Sequence, residues 1–235
     1  MSLPKINYPL FDVVIPSSSK SIKMRPFLVK EEKILLTAQS SSDPRDVVLA
    51  IKQVVNNCII DAFDIENLTT FDLEYLFVKL RSRSINNIID VTYNDPEDDK
   101  QYKISVDLDK VEIQKDERHN SNIKITDNLG LILRYPKTDM LQSLEKATSE
   151  VDIYFEVIKY TIDKVYDEEN VYEAKDYSNE DLNEFVTTLD VNTFKQIQLF
   201  LETMPKLYYE ASYTNSLGTE RKVVLQNLND FFILG

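Results

Sequence analysis

Between Ile85 and Tyr135 the apolar residues stop recurring at helical spacing and begin to alternate, and this change of period constrains the fold more than any other feature of the chain. Tyr102, Ile104, Val106 and Leu108 occupy every second position, followed by Val111 and Ile113, then Ile123 and Ile125, then Leu131 to Leu133. Successive strand residues face opposite sides, so this alternation predicts a small, mostly antiparallel β module.

On both sides of that stretch the spacing is helical. Pro26 biases Arg25 away from the helical region, so the chain is expected to arrive extended and to turn into a helix near Val29. That helix, Val29 to Gln39, is expected to bury Val29, Ile34, Leu35 and Leu36 and to expose the strip Lys30, Glu31, Glu32 and Lys33. Ser42 or Asp43 caps a second helix, with Pro44 in its first turn, running to about Asn57. Thr69 with Asp72 has capping-box spacing before a third, lined by Leu73, Leu76, Phe77 and Leu80 and ending near Arg83. Downstream, Thr138 caps a segment with Met140, Leu141 and Leu144. Further helices are expected over Val151 to Val165, after the Ser178/Asp181 cap with Leu182, Phe185, Val186 and Leu189, and over Val191 to Thr203.

Two hairpins frame the chain. Phe11 to Ile15 and Ile22 to Met24 surround a serine turn, and Leu207 to Tyr213 and Lys222 to Leu225 surround Asn215 to Gly218. The fold class is therefore α+β: helical bundle portions flanking a small antiparallel β module, with N- and C-terminal β-hairpins. The expected division is 1–84, 85–136 and 137–235, the last forming one compact unit with the first.

Chemistry-bearing motifs are sparse. The chain has 235 residues, which suits one large domain or two small ones. Its three glycines, Gly130, Gly218 and Gly235, leave no Gly-rich phosphate loop, dinucleotide fingerprint or nucleophile elbow. Cys58 is the sole cysteine, set among Val54, Val55, Ile59 and Ile60 and expected to be buried, so no disulfide or cysteine-based zinc site is available. His119, the sole histidine, lies in the polar run KDERHNSN and is expected in solvent. The turn Asn94 to Asp99 carries four acids but lacks the alternating ligands, central Gly and distal Glu of a calcium loop. No metal and no cofactor are expected. A formal charge of -13 disfavours nucleic acid and anionic membrane, and no apolar run approaches the roughly 20 residues of a membrane span. The opening MSLPKINYPL has no apolar core segment, so the chain is expected to be cytosolic where it is made. Adjacent acids such as Glu168 and Glu169 read as solvated surface, and an acid-pair hydrolase is a remote alternative.

Several ordered segments carry a resemblance. LPK at Leu3 to Lys5, VIPS at Val14 to Ser17, RPFLVKEEKILL from Arg25, then LRSRSI, VDLDKVEI, LRYP, YDEENVYEAKD, TMPKLYY and the closing NDFF resemble the baseplate hub proteins of T-even-like contractile-tailed phages. The resemblance implies a non-enzymatic viral protein that builds the tail baseplate hub through protein contacts. Its expected partners are other hub proteins and the tape-measure protein, with a homo-oligomer left open. Its expected location is the virion tail baseplate, the host cytoplasm during assembly, or both. A transient tail-assembly chaperone absent from the virion is the alternative.

Interface candidates follow from charge and apolarity. Arg25, Glu31, Glu32 and Lys33 position the first helix against a neighbour or tie up its own start. Arg81 and Arg83 meet a partner or acids of the same chain. Phe231 and Phe232, with Ile233 and Leu234, either fold back on the terminal hairpin or dock on a neighbouring subunit.

Overall fold

The computed structural model describes residues 6–41, 43–140, 144 and 149–231, and the chain is α+β with several small antiparallel sheets. It divides into two compact units: residues 1–114 with 206–235, and residues 115–205.

The first unit begins with the hairpin β1 (Phe11–Val14) and β2 (Ser21–Met24), in register Phe11 to Met24. Helix α1 spans Val29–Gln39 and α2 spans Pro44–Cys58, capped by Asp43, whose carboxylate accepts the Arg45 N–H at 2.9 Å. Helix α3, Thr70–Ser84, starts at the capping box of Thr69 and Asp72. The Asp72 carboxylate also accepts the Ser17 N–H at 2.9 Å, so one buried side chain closes the helix end and anchors the first hairpin.

Next come β3 (Ile88–Asn94) and β4 (Gln101–Asp107), a two-stranded ladder, and β5 (Glu112–Gln114). Strand β5 pairs with β10 (Lys206–Thr214), which pairs in turn with β11 (Glu220–Leu225), and a short helix α7 (Leu228–Phe231) follows. The core joins the first hairpin, α2, α3, β4 and the β10–β11 ladder through residues such as Met24, Val54, Leu76, Leu80, Val106 and Leu207. Cys58 lies in this core, and burial pushes its thiol up to about 11.

In the second unit β6 (Asn122–Lys124), β7 (Gly130–Leu133), β8 (Ile162–Tyr166) and β9 (Val171–Glu173) form one sheet in that order. Helices α4 (Glu150–Thr161), α5 (Asn179–Thr188) and α6 (Val191–Glu202) pack on a core of Ile123, Leu131, Ile158, Ile162, Ile197 and Phe200. Gly130 stands opposite Tyr166, whose ring would lie 2.4 Å from an added Cβ, so a larger residue there would force the Tyr166 ring to shift.

Four expectations change. The inward face of α1 is Glu31, Ile34, Leu35 and Ala38, spaced i, i+3, i+4 and i+7, whereas Val29 is 86% and Leu36 57% exposed. The helix expected over Val151 to Val165 ends at Thr161, because β-branched Ile162 and Val165 join the ladder with β7. The alternating strands of 85–136 belong to three different sheets, since β5 and β7 find their partners far along the chain. His119 is half-buried, its ring 5.3 Å from that of Tyr135 and 4.8 Å from that of Phe200, with Nδ1 3.0 Å from the Thr203 hydroxyl. Burial lowers its pKa and favours the neutral ring. The segment expected after Thr138 falls mostly outside the described residues, and so does Phe232.

Candidate interaction surface

The residues singled out by charge lie in the first unit, where all but Lys33 fall into three groups. The first is a buried tie. The Arg25 guanidinium donates to Glu31 Oε1 at 2.9 Å and to the carbonyl of Asn57 at 2.8 Å, while Glu31 Oε2 accepts the Leu28 N–H at 2.9 Å. Glu31 is fully buried and the Arg25 side chain 16% exposed. Burial opposes the Glu31 charge, but the hydrogen bonds from Arg25 and Leu28 outweigh it and hold the carboxyl below its ordinary value. Arg25 thus joins the extended approach, the start of α1 and the end of α2. A buried pair of this kind is intolerant of losing one member.

The second group lines a hollow of about 290 Å³. Glu32 and Leu36 of α1, Phe77 and Arg81 of α3, Asp90 of β3 and Phe231 of α7 border it. Three of the residues singled out in the sequence therefore converge here from distant positions. Glu32 Oε2 is buried without a hydrogen-bond partner among the described residues. Burial lowers the Arg81 pKa and the Glu32 charge opposes that shift. Phe231 is buried in the core of the first unit, in the same apolar cluster as Leu225 and Leu228.

The third group clamps a turn. Lys79 donates to the carbonyls of Leu108, Asp109 and Val111 at 3.1, 2.7 and 2.9 Å, and Ser82 donates to Asp109 at 2.9 Å. Arg83 adds a looser, half-exposed ion pair to Asp109 at 3.6 Å. Lys33 is exposed and belongs to none of the groups.

The acid-rich turn Asn94 to Asp99 uses its carboxylates on the other hairpin of its own unit. Asp95 accepts the Tyr213 hydroxyl, Glu97 accepts the Asn215 amide at 2.7 Å, and Asp98 accepts the Ser216 hydroxyl at 2.8 Å. Among the described residues no group of three or more His, Cys, Asp or Glu is placed to hold a metal ion, and no helix is long and apolar enough to cross a membrane.

The second unit holds a feature that the sequence reading did not single out. Tyr177 stands between two adjoining hollows, of about 710 and 570 Å³, that share Ala174, Tyr177 and Leu182. The larger has a mixed charged lining that includes Arg134, Glu156 and Lys159, the last two ion-paired at 2.6 Å. The smaller is walled by Val165, Tyr172, Tyr177, Leu182 and Phe185. The signal was present as Tyr172, Tyr177 and Phe185 in an acidic run, but the hairpin that folds β9 onto β8 could not be inferred from three residues.

No curated protein and no solved structure matches the chain. A family model described as T4 bacteriophage base plate protein matches residues 8–233, almost the whole length. The chain belongs to the family of T4 bacteriophage base plate proteins.

Proposed function

We propose that the chain is a non-enzymatic structural or assembly protein of the tail baseplate hub, working through contacts with other hub proteins and the tape-measure protein. The observation that carries this reading is the family match over residues 8–233. The use of the candidate polar groups supports it. Arg25, Glu31, Arg83, Asp95 and Asp98 are engaged in ties within the first unit, an arrangement that builds a rigid scaffold. The virion tail baseplate is the proposed location, reached from the host cytoplasm during assembly.

A second reading, a transient tail-assembly chaperone, is favoured by charge. The second unit holds ten Lys and Arg against nineteen Asp and Glu, a formal -9 of the chain's -13. Such a surface keeps a basic, poorly soluble partner in solution. Co-expression with the hub proteins and the tape-measure protein, followed by size exclusion and mass spectrometry of mature tails, tests both. A complex retained in mature tails supports the structural subunit, and one found only before completion supports the chaperone. No complex overturns both. The hydrolase alternative is tested by alanine substitution of the acids lining the hollows, and full infectivity of every variant removes it.

A further inference from the structure

We propose that the apolar hollow of the second unit, between the β8–β9 ladder and α5, is a docking groove for a basic segment of a partner protein that inserts a large aliphatic or aromatic side chain. The proposal rests on the reading of this chain as a protein-binding baseplate component. Its starting observation is a volume of about 570 Å³, within the range that encloses a few side chains. Val165, Tyr172, Tyr177, Leu182 and Phe185 wall it, and the rings of Tyr172 and Tyr177 meet edge to face at 6.5 Å. Tyr177 is 46% exposed, a large aromatic surface left in water at the edge of an apolar recess.

Charge selects the occupant. Residues 167–190, which form β9, α5 and their connections, hold nine acids against Lys175 alone. Asp181 and Glu184 line the groove itself and both are exposed. An acidic rim around an aromatic pocket recognises Lys and Arg whose aliphatic stems lie along the rings while their charges meet the rim. The same field repels a second copy of this unit, which carries -9, and repels anionic lipid. A basic polypeptide is the occupant that the charge favours.

The test uses the full chain and a labelled synthetic peptide with a central Leu-Phe pair between blocks of Lys and Arg. Two controls replace Leu-Phe by Ser-Ser or the basic residues by Glu. The expected result is binding by fluorescence anisotropy at least about tenfold tighter than either control, with amide shifts at Tyr172, Tyr177, Leu182 and Phe185. Tyr177→Ser combined with Glu184→Lys is expected to weaken it at least about tenfold while unfolding stays cooperative, because Glu184 is exposed and Tyr177 is 46% exposed, its ring contact being with Tyr172 alone among the described aromatic pairs. Glu220→Lys in the first unit makes the same change in net charge as Glu184→Lys and is expected to leave affinity within about twofold. Equal weakening by Glu220→Lys, equal binding of the Ser-Ser peptide, or shifts confined to other residues would overturn the proposal. The peptide reports on the groove alone, whereas tail incorporation reports on the baseplate reading, so the two fail separately.

Discussion

Asp98 accepts two hydrogen bonds from Ser216, one from its backbone N–H at 3.1 Å and one from its hydroxyl at 2.8 Å, across 118 residues of sequence. Tyr102 donates to the same carboxylate at 2.5 Å. One ionised side chain thereby fastens the tip of the β3–β4 hairpin to the tip of the β10–β11 hairpin. Desolvation opposes the charge, but the bonds from Tyr102 and Ser216 outweigh it and hold the Asp98 carboxyl far below its ordinary 3.8. A depressed folded pKa contributes stability above the unfolded value and loses it as pH falls toward the folded one. Unfolding midpoints in urea are therefore expected to decline below about pH 4. Asp98→Asn is expected to be the less stable protein at pH 7, with the gap closing as pH falls toward 2. A gap that stays constant with pH would show that the charge on Asp98 is not what stabilises the clasp.

The buried tie at the first helix makes a different prediction. Glu31→Gln keeps the shape but leaves the Arg25 guanidinium, 16% exposed, without a counter-charge. The expected cost is about 3 kcal/mol in chemical unfolding. Lys33→Ala, on the exposed side of the same helix, is expected to change stability by less than about 0.5 kcal/mol. Similar small effects for both would mean that Arg25 finds a replacement partner.

The contrast between these two sites shows how far the sequence could be read. The helix starts were legible because capping chemistry is local: Thr69/Asp72 and Ser178/Asp181 close their boxes three residues apart, and Asp43 caps α2. The N- and C-terminal hairpins were legible for the same reason. Glu31 reads as part of the polar strip because nothing local announces that Arg25 will be buried beside it. The alternation from Ile85 to Tyr135 correctly indicated strands, yet not their partners, because β5 pairs with a strand that begins at Lys206 and β7 with one that begins at Ile162. Of the residues singled out by charge or apolarity, Glu32, Arg81 and Phe231 meet at one hollow only because α1, α3 and α7 pack there, a tertiary outcome with no local signature. His119 sat in a polar run and still packs on Phe200, since the burial of one ring is decided by the helix that arrives eighty residues later.

Glu74 on α3 carries the opposite pH signature to Asp98. Burial raises its carboxyl from 4.5 to about 7. A raised acid pKa means that folding penalises the charged form, so the penalty is absent below about pH 4.5 and complete above about pH 7. Glu74→Gln is expected to stabilise the chain by about 2 kcal/mol at pH 8 and by little at pH 4, allowing for the only partial burial of the side chain. Thermal unfolding of both proteins at the two pH values measures the difference. Equal midpoints at pH 8 would show that Glu74 ionises in the folded state without penalty.

The second unit is inserted between two residues that already face each other. Strand β5 ends at Gln114 and β10 begins at Lys206, and these are directly opposed in the antiparallel register, with Leu207 opposite Ile113 and Tyr208 opposite Glu112. The chain leaves the first unit at Gln114 and returns at Lys206, so the point of exit and the point of return are neighbours in one ladder. A two-residue Asn-Gly turn spans such a pair with the twist that antiparallel strands require. Replacing residues 115–205 by Asn-Gly is therefore expected to leave the first unit folded, because its core residues all lie outside the removed segment. The expected readouts are cooperative urea unfolding and dispersed amide spectra, in which the pairs β1–β2, β3–β4 and β10–β11 persist. Non-cooperative unfolding would show that the first unit depends on the second for its stability. Under the docking proposal the shortened chain is also expected to lose affinity for the basic peptide, since the aromatic groove and nine of the thirteen excess negative charges leave with the excised segment.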